Sequence, residues 1–224
     1  MIAILCAVEA EAAPILKELR VSEKIEKNSL RFLHGTLRGR EVCFVRSGMG
    51  KVNAALGAQG LIDLFSPAAL LISGVGGSLC PQLRLMDLTV GVKCTHHDLP
   101  MDVIRADYPK MDDQWFTADR DLVGLTERCA PGIIPAVYLT GEAFIDKEGR
   151  ESLVHRFASE GAISCDMETA AAAQACRAAG VPFCCIRAIS DTEEECGLDV
   201  FWQNVEKASV RAAGAVMNMV EAFV

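Results

Sequence analysis

Apolar and β-branched runs of strand length recur along the chain: IAILCAV (2–8), LRFLHGTL (30–37), EVCFVRSG (41–48), AALLISG (68–74), LTVGVKC (88–94), IPAVYLTG (134–141), AISCDME (162–168) and PFCCIRAIS (182–190). Between several of them lie segments of helical period: EAEAAPILKELR (9–20), KVNAALGAQGLIDLF (51–65), DRDLVGLTERC (119–129), KEGRESLVHRF (147–157) and TAAAAQACRAAG (169–180). A final helix is predicted from about Val200 to the C-terminus, with Val205, Ala208, Ala212, Val216, Met219 and Phe223 on one face. Strands alternating with helices in this way predict an α/β fold, its mixed or mostly parallel sheet covered on both sides. The 224 residues, about half of them apolar, suffice for one well-filled core. No linker, repeat or low-complexity tract divides them, so a single domain over 1–224 is expected.

In open α/β sheets the ligand crevice lies at the carboxyl ends of the strands, where the departing loops converge. The first strand runs into VEAEA, with Glu9 and Glu11. The fourth ends in the glycine-rich SGVGGS (73–78), read as a loop; the strand at 162 ends in MET, with Glu168; the one at 182 ends in ISD, with Asp191. Acidic groups and one glycine loop are therefore expected at a single edge. Each has a plainer reading: the acids as first-turn residues favoured by the helix dipole, the glycines as a tight turn. Glu168 poses the choice most sharply, standing before an alanine helix that it either caps or leaves free for chemistry. The glycine run has neither the lysine of a P-loop nor the GxGxxG spacing of a dinucleotide site, which sets nucleoside triphosphates and NAD aside.

Charge narrows the partners. Lys and Arg total 22 against 30 Asp and Glu, a net of −8, and the basic residues are scattered singly. Nucleic acid and anionic membranes are poor partners for such a surface. The N-terminal MIAILCAVEAEAAPIL has no basic leader and its apolar run stops at Glu9, so neither a signal peptide nor a spanning helix is expected; the protein is expected to be soluble and cytoplasmic. Ten cysteines, among them Cys6, Cys43, Cys165, Cys184 and Cys185, lie mostly in apolar segments without a CxxC pair and read as reduced core residues. His34, His96, His97 and His155 lack metal-ligand spacing, and neither a metal nor a cofactor is expected.

In order and over nearly the whole chain, the segments ILCAVEAEAAPIL, SGMGKVNAALGA (47–58), SGVGGSL (73–79), HHD (96–98), TGEAFI (140–145), DMETAA (166–171) and RAISD (187–191) resemble one family. They are similar to the 5′-methylthioadenosine/S-adenosylhomocysteine nucleosidases of the purine nucleoside phosphorylase superfamily. That resemblance implies an α/β domain with a central mixed, partly barrel-like sheet flanked by helices, commonly a homodimer. It also implies hydrolysis of the N-glycosidic bond of 5′-thio-substituted adenosines to adenine and a thioribose. By motif, Asp191 would be the general acid at N7 of adenine, Glu11 the base acting on water, and Glu168 the acceptor of the ribose hydroxyls. Met167 would lie against the sugar, Phe144 would stack on adenine, and the Ile145 backbone would read the base edge. Val8, Met49, Val75 and Gly76 would line the pocket. Ser190 would hold Asp191, and Arg187 would orient its neighbours or else form a surface ion pair. Met101 and Ile104 match the stretch a partner subunit lends to the 5′-thio pocket.

Such residue types suit the reaction. Glycosidic cleavage builds positive charge on the sugar and negative charge on the departing base, so carboxylates near the first and an acid at the second both lower the barrier. Departures fall at the 5′ end: Val75 stands where well-known members carry serine, VIRADYPKM (103–111) lacks the usual glycine-aromatic pattern, and TEEECGL (192–198) is short and acidic. Three other readings compete. A phosphorylase of the superfamily would need an arginine where Ile72 stands, with Arg46 the only nearby cation. A futalosine-type hydrolase fits if its substrate is the aminated form, and a non-catalytic nucleoside sensor would have no need to keep acid, base and ribose carboxylate together.

Overall fold

The computed structural model describes residues 1–100, 114–145, 147–192 and 198–223. Met101, Ile104 and most of the loop after Asp191 lie outside the described residues. In chain order the elements are β1 (Ile2–Cys6), α1 (Glu9–Glu18), β2 (Arg20–Lys27), β3 (Leu30–Leu37), β4 (Arg40–Arg46), α2 (Lys51–Phe65), β5 (Ala69–Ser78), β6 (Leu88–His96), β7 (Phe116–Thr117), α3 (Arg120–Cys129), β8 (Ile134–Thr140), α4 (Lys147–Phe157), β9 (Ile163–Asp166), α5 (Thr169–Ala179), β10 (Phe183–Asp191) and α6 (Leu198–Ala222).

One sheet joins all the strands. β5, β9, β8, β6 and β10 form a closed ring, because β10 pairs in parallel with β5 and antiparallel with β6. From β5 an arm continues through β1, β4, β3 and β2. Period-two alternation along β1 sends Ile2 and Ile4 to one face, where they meet Ala12 and Ile15 of α1 and Ala213, Val216 and Val220 of α6. Ala3 and Leu5 point the other way, into a cluster with Ala58 and Leu61 of α2 and Ala170, Ala173 and Cys176 of α5. Both faces are thus dry, which is why β1, β5 and β10 are buried along their whole lengths.

Local signals set the helix ends. Asp119 caps α3 by accepting from the backbone N–H of Asp121 and Leu122, each at 3.0 Å. Alanine-rich α5 stops at Gly180, whose φ of +73° is one that a side chain disfavours. The expected face of α6 is buried from Val205 through Met219.

Two readings need correction. Residues 73–78 are not a loop: β5 runs straight through them. The glycines serve close approach there; a Cβ on Gly74 would lie 2.4 Å from Glu11 Oε1 and 2.8 Å from Arg187 Nη1. The first helix ends at Glu18, and Arg20 opens β2, a strand whose polar RVSEKIEK carries no apolar run because all but Ile25 is exposed. Two-residue β7 is too short to leave a pattern.

Candidate active site

At the carboxyl ends of β1, β5, β9 and β10 lies a cleft open to solvent. Its lining includes Val8, Glu11, Met49, Val75, Gly76, Phe144, Ile145, Met167, Glu168, Arg187, Ser190 and Asp191, so every described residue of the expected set is in it. Phe144 and Met49 are partly exposed at its rim. Glu9 is not part of it: exposed, it pairs with Arg46 at 3.3 Å.

Glu11 sits in the first turn of α1 and turns its side chain back. Oε2 accepts from the N–H of Ala7 (2.8 Å) and Val8 (3.1 Å), and Oε1 from the N–H of Val75 (2.9 Å). The plainer reading is thus half right, since the Val8 contact does tie off the helix start; the reach to β5 is the other half. Val75 lacks a hydroxyl but contributes its backbone. Burial pushes the Glu11 carboxyl above its ordinary range, against the opposing pull of Arg187 and of its N–H donors.

Glu168 precedes α5 without capping it. Asp166 supplies that contact, taking the Thr169 N–H at 3.2 Å. Glu168 instead accepts from the N–H of Gly50 at 2.9 Å and lies 3.4 Å from Arg187. Burial lifts its carboxyl to about 7, with Arg187 and Gly50 pulling downward and Asp166 and Glu11 upward.

Arg187 is no surface ion pair. At 2% exposure it donates to Val75 O (2.6 Å) and Thr169 Oγ1 (3.2 Å), and it lies 2.8 Å from Asp166 and 3.4 Å from Glu168. Burial opposes its charge, yet Asp166 and Glu168 more than offset this and raise its pKa above the usual arginine value. Asp191, buried at the last position of β10, accepts from Ser190 Oγ at 2.8 Å through Oδ1 and from Arg150 through Oδ2.

Arg150, Asp166, Cys165 and Phe201 line the cavity without having been singled out. Asp166 stood in the quoted DMETAA segment, two residues before Glu168. Phe201, edge-on to Phe144 at 5.4 Å, and Arg150, in the charged helix KEGRESLVHRF, left no pattern distinct from an ordinary surface helix. Arg46 is therefore not the only nearby cation: it is half-exposed, whereas two buried guanidinium groups reach the cavity. Of the histidines, His96 is buried against Gln174, His97 packs over Gly141, His34 bonds Glu41, and His155 is exposed. No grouping able to hold a metal ion occurs among the described residues.

The family model described as the phosphorylase superfamily matches residues 1–224. The chain belongs to the phosphorylase superfamily. Within this superfamily it is 28% identical over 227 residues to a 5′-methylthioadenosine/S-adenosylhomocysteine nucleosidase of Bacillus thuringiensis, covering 98% of each chain. It superposes with a TM-score of 0.88 on the nucleosidase of the same name from Neisseria meningitidis in complex with methylthio-immucillin-A, at 26% identity and 99% coverage of both chains. Futalosine hydrolase of Helicobacter pylori gives a TM-score of 0.87 at 30% identity, covering 99% of this chain and 97% of that one. The closed ring of five strands is the barrel-like sheet that the motifs implied.

Proposed function

We propose that the protein hydrolyses the N-glycosidic bond of 5′-thio-substituted adenosines, methylthioadenosine and S-adenosylhomocysteine, releasing adenine and a thioribose. The observation that carries this is the meeting of three buried carboxyl groups, Glu11, Glu168 and Asp191, from three separate elements in one cavity with an aromatic rim at Phe144. Asp191 protonates N7 of the departing base, Glu11 draws a proton from water, and Glu168 accepts the ribose hydroxyls while Met167 packs on the sugar. Phe144 stacks on the purine, the Ile145 backbone reads its edge, and Val8, Met49, Val75 and Gly76 shape the walls. Arg187 is a positioning residue: it holds Glu168 and, through the Val75 carbonyl, the strand on which Glu11 is anchored. A cluster of carboxylates that outnumber the guanidiniums beside them favours a cationic sugar in the transition state.

Phosphorolysis is disfavoured because both buried guanidiniums already face carboxylates: Arg187 faces Asp166 and Glu168, and Arg150 faces Asp191. Arg187 offers no free clamp to a phosphate dianion, Arg150 lies at the base end of the cavity beside Asp191, and Ile72 is buried in β5. The deciding experiment incubates purified protein with methylthioadenosine, S-adenosylhomocysteine and aminofutalosine in phosphate-free buffer and follows adenine. Release from the first two, with free thioribose as co-product, is the expected result. Release from aminofutalosine alone would move the substrate class, and a sugar 1-phosphate appearing only with added phosphate would overturn hydrolysis.

We infer further that the protein acts in the cytoplasm as a homodimer. The nine described cysteines are all unpaired, as a reducing compartment would keep them. Val52 and Leu56 of α2 are exposed beside a cleft lined by Ala55, Leu99, Ala171 and Ala175, an apolar face that a second copy would cover. A monomer in sedimentation would remove the dimer. No helix among the described residues is long and apolar enough to cross a membrane.

A further inference from the structure

Two buried arginines reach the cavity, and they are held very differently. Arg187 has four oxygen partners from three elements. Arg150, on α4, is 5% exposed and donates to Ser78 O at 2.6 Å through Nη1 and to Asp191 Oδ2 through Nη2, while its buried Nε–H has no acceptor among the described residues. A buried donor left without a partner is costly, so Arg150 is under-satisfied where Arg187 is locked.

The position it occupies is the one the chemistry needs. Ser190 Oγ donates to Oδ1 of Asp191 and Arg150 to Oδ2, so each oxygen already carries a donor and the guanidinium sits on the one that the serine leaves open to a purine nitrogen. Space for this contact comes from Gly77: a Cβ there would lie 2.8 Å from Asp191 Oδ2 and 3.3 Å from Arg150 Nη2. Base and guanidinium compete for one oxygen.

We propose that Arg150 is a positioning residue that holds Oδ2 of Asp191 and is displaced from it by the purine base of the substrate. This rests on the reading of Asp191 as the acid at N7. Base affinity is then reduced by the fraction of time the guanidinium holds the oxygen, and a site closed nine-tenths of the time binds about tenfold more weakly than an open one.

The test compares wild type with Arg150→Met, which keeps the length and removes the charge, and Arg150→Lys, which keeps a donor. Adenine affinity is measured by calorimetry, KM and kcat by adenine release, and folding by circular dichroism and melting. Arg150→Met is expected to bind adenine about tenfold more tightly and to lower KM by a similar factor, with kcat changing less, as removal of a closed state requires. Arg150→Lys should return both towards wild type. Weaker or unchanged adenine binding in a folded Arg150→Met protein would overturn the proposal, showing that the guanidinium touches the base or plays no part. If Arg150→Met does not fold, Arg150→Lys decides: its shorter reach should loosen the hold on Oδ2 and tighten adenine binding, and a weakening would overturn the proposal. Failure of the wild type to bind adenine at all would instead remove the base-site reading, and the role of Arg150 with it.

Discussion

Glu168 stands at the threshold of α5 and leaves the capping to Asp166, so its carboxyl serves the cavity. Its pKa, lifted from the usual 4.5 to about 7, makes the protonated form the one that folding favours. That contribution is complete below about pH 4.5 and is lost as pH rises through 7. Melting temperatures of wild type and Glu168→Gln across pH 4 to 8 should therefore diverge, the wild type falling relative to the variant; parallel curves would place the lifted pKa elsewhere. In the same variant KM should rise and kcat fall for adenosine-type substrates, since the amide offers one acceptor oxygen where the carboxylate offers two. Asp191→Asn should lose about 10²–10⁴-fold in kcat, the range of a general acid, in an adenine-release assay. Glu11→Gln should lose turnover and also stability: both carboxylate oxygens face backbone N–H donors, so either orientation of the amide sets NH₂ against N–H, at about 1–3 kcal/mol. Thermal melting would register that cost, and near-wild-type melting would count against the anchored geometry. All three carboxyl groups were legible because each ends a strand run at the ligand edge. Arg150 was not, since a long side chain folded inward from a charged helix is indistinguishable in sequence from one left in solvent.

At the scale of elements, buried strands read well and exposed ones poorly. β1, β5 and β10 announce themselves through apolar runs, because both of their faces are covered; β2 is mostly polar and shows nothing. The second half of β5 misled for the opposite reason. Glycine signals turns by default, whereas here it removes side chains from a strand so that Glu11, Arg187 and Asp191 can crowd against the backbone. Gly74→Ala tests that reading. With 2.4 Å to Glu11 Oε1 and 2.8 Å to Arg187 Nη1, the added methyl must displace both groups. The expected cost is about 1–3 kcal/mol from overpacking, with loss of most turnover. A variant with wild-type melting and activity would mean that β5 yields more easily than its packing implies.

For the whole molecule, the exposed apolar face of α2 adjoins the cleft that contains Leu99, just before the stretch holding Met101 and Ile104. Leu56→Asp, or Val52→Asp as a second probe, should dissociate the proposed dimer in sedimentation while leaving the monomer folded, because neither side chain belongs to the core. An unaltered assembly would move the interface to another face. Ring closure carries a consequence of a different kind, for the order in which the protein is made. β10 is the last of the described strands to leave the ribosome, and it must slot between β5 and β6, which are separated from it by roughly half the chain. Until it does, the backbone edges of β5 and β6 are left open along that seam, and Asp191, the proposed acid carried on the inserting strand, is absent from the cavity. A nascent chain stalled short of Phe183 therefore carries Glu11 and Glu168 but not the proposed acid, together with an unpaired seam that invites association with other chains. Catalytic competence and protection from aggregation thus arrive in one late step of synthesis.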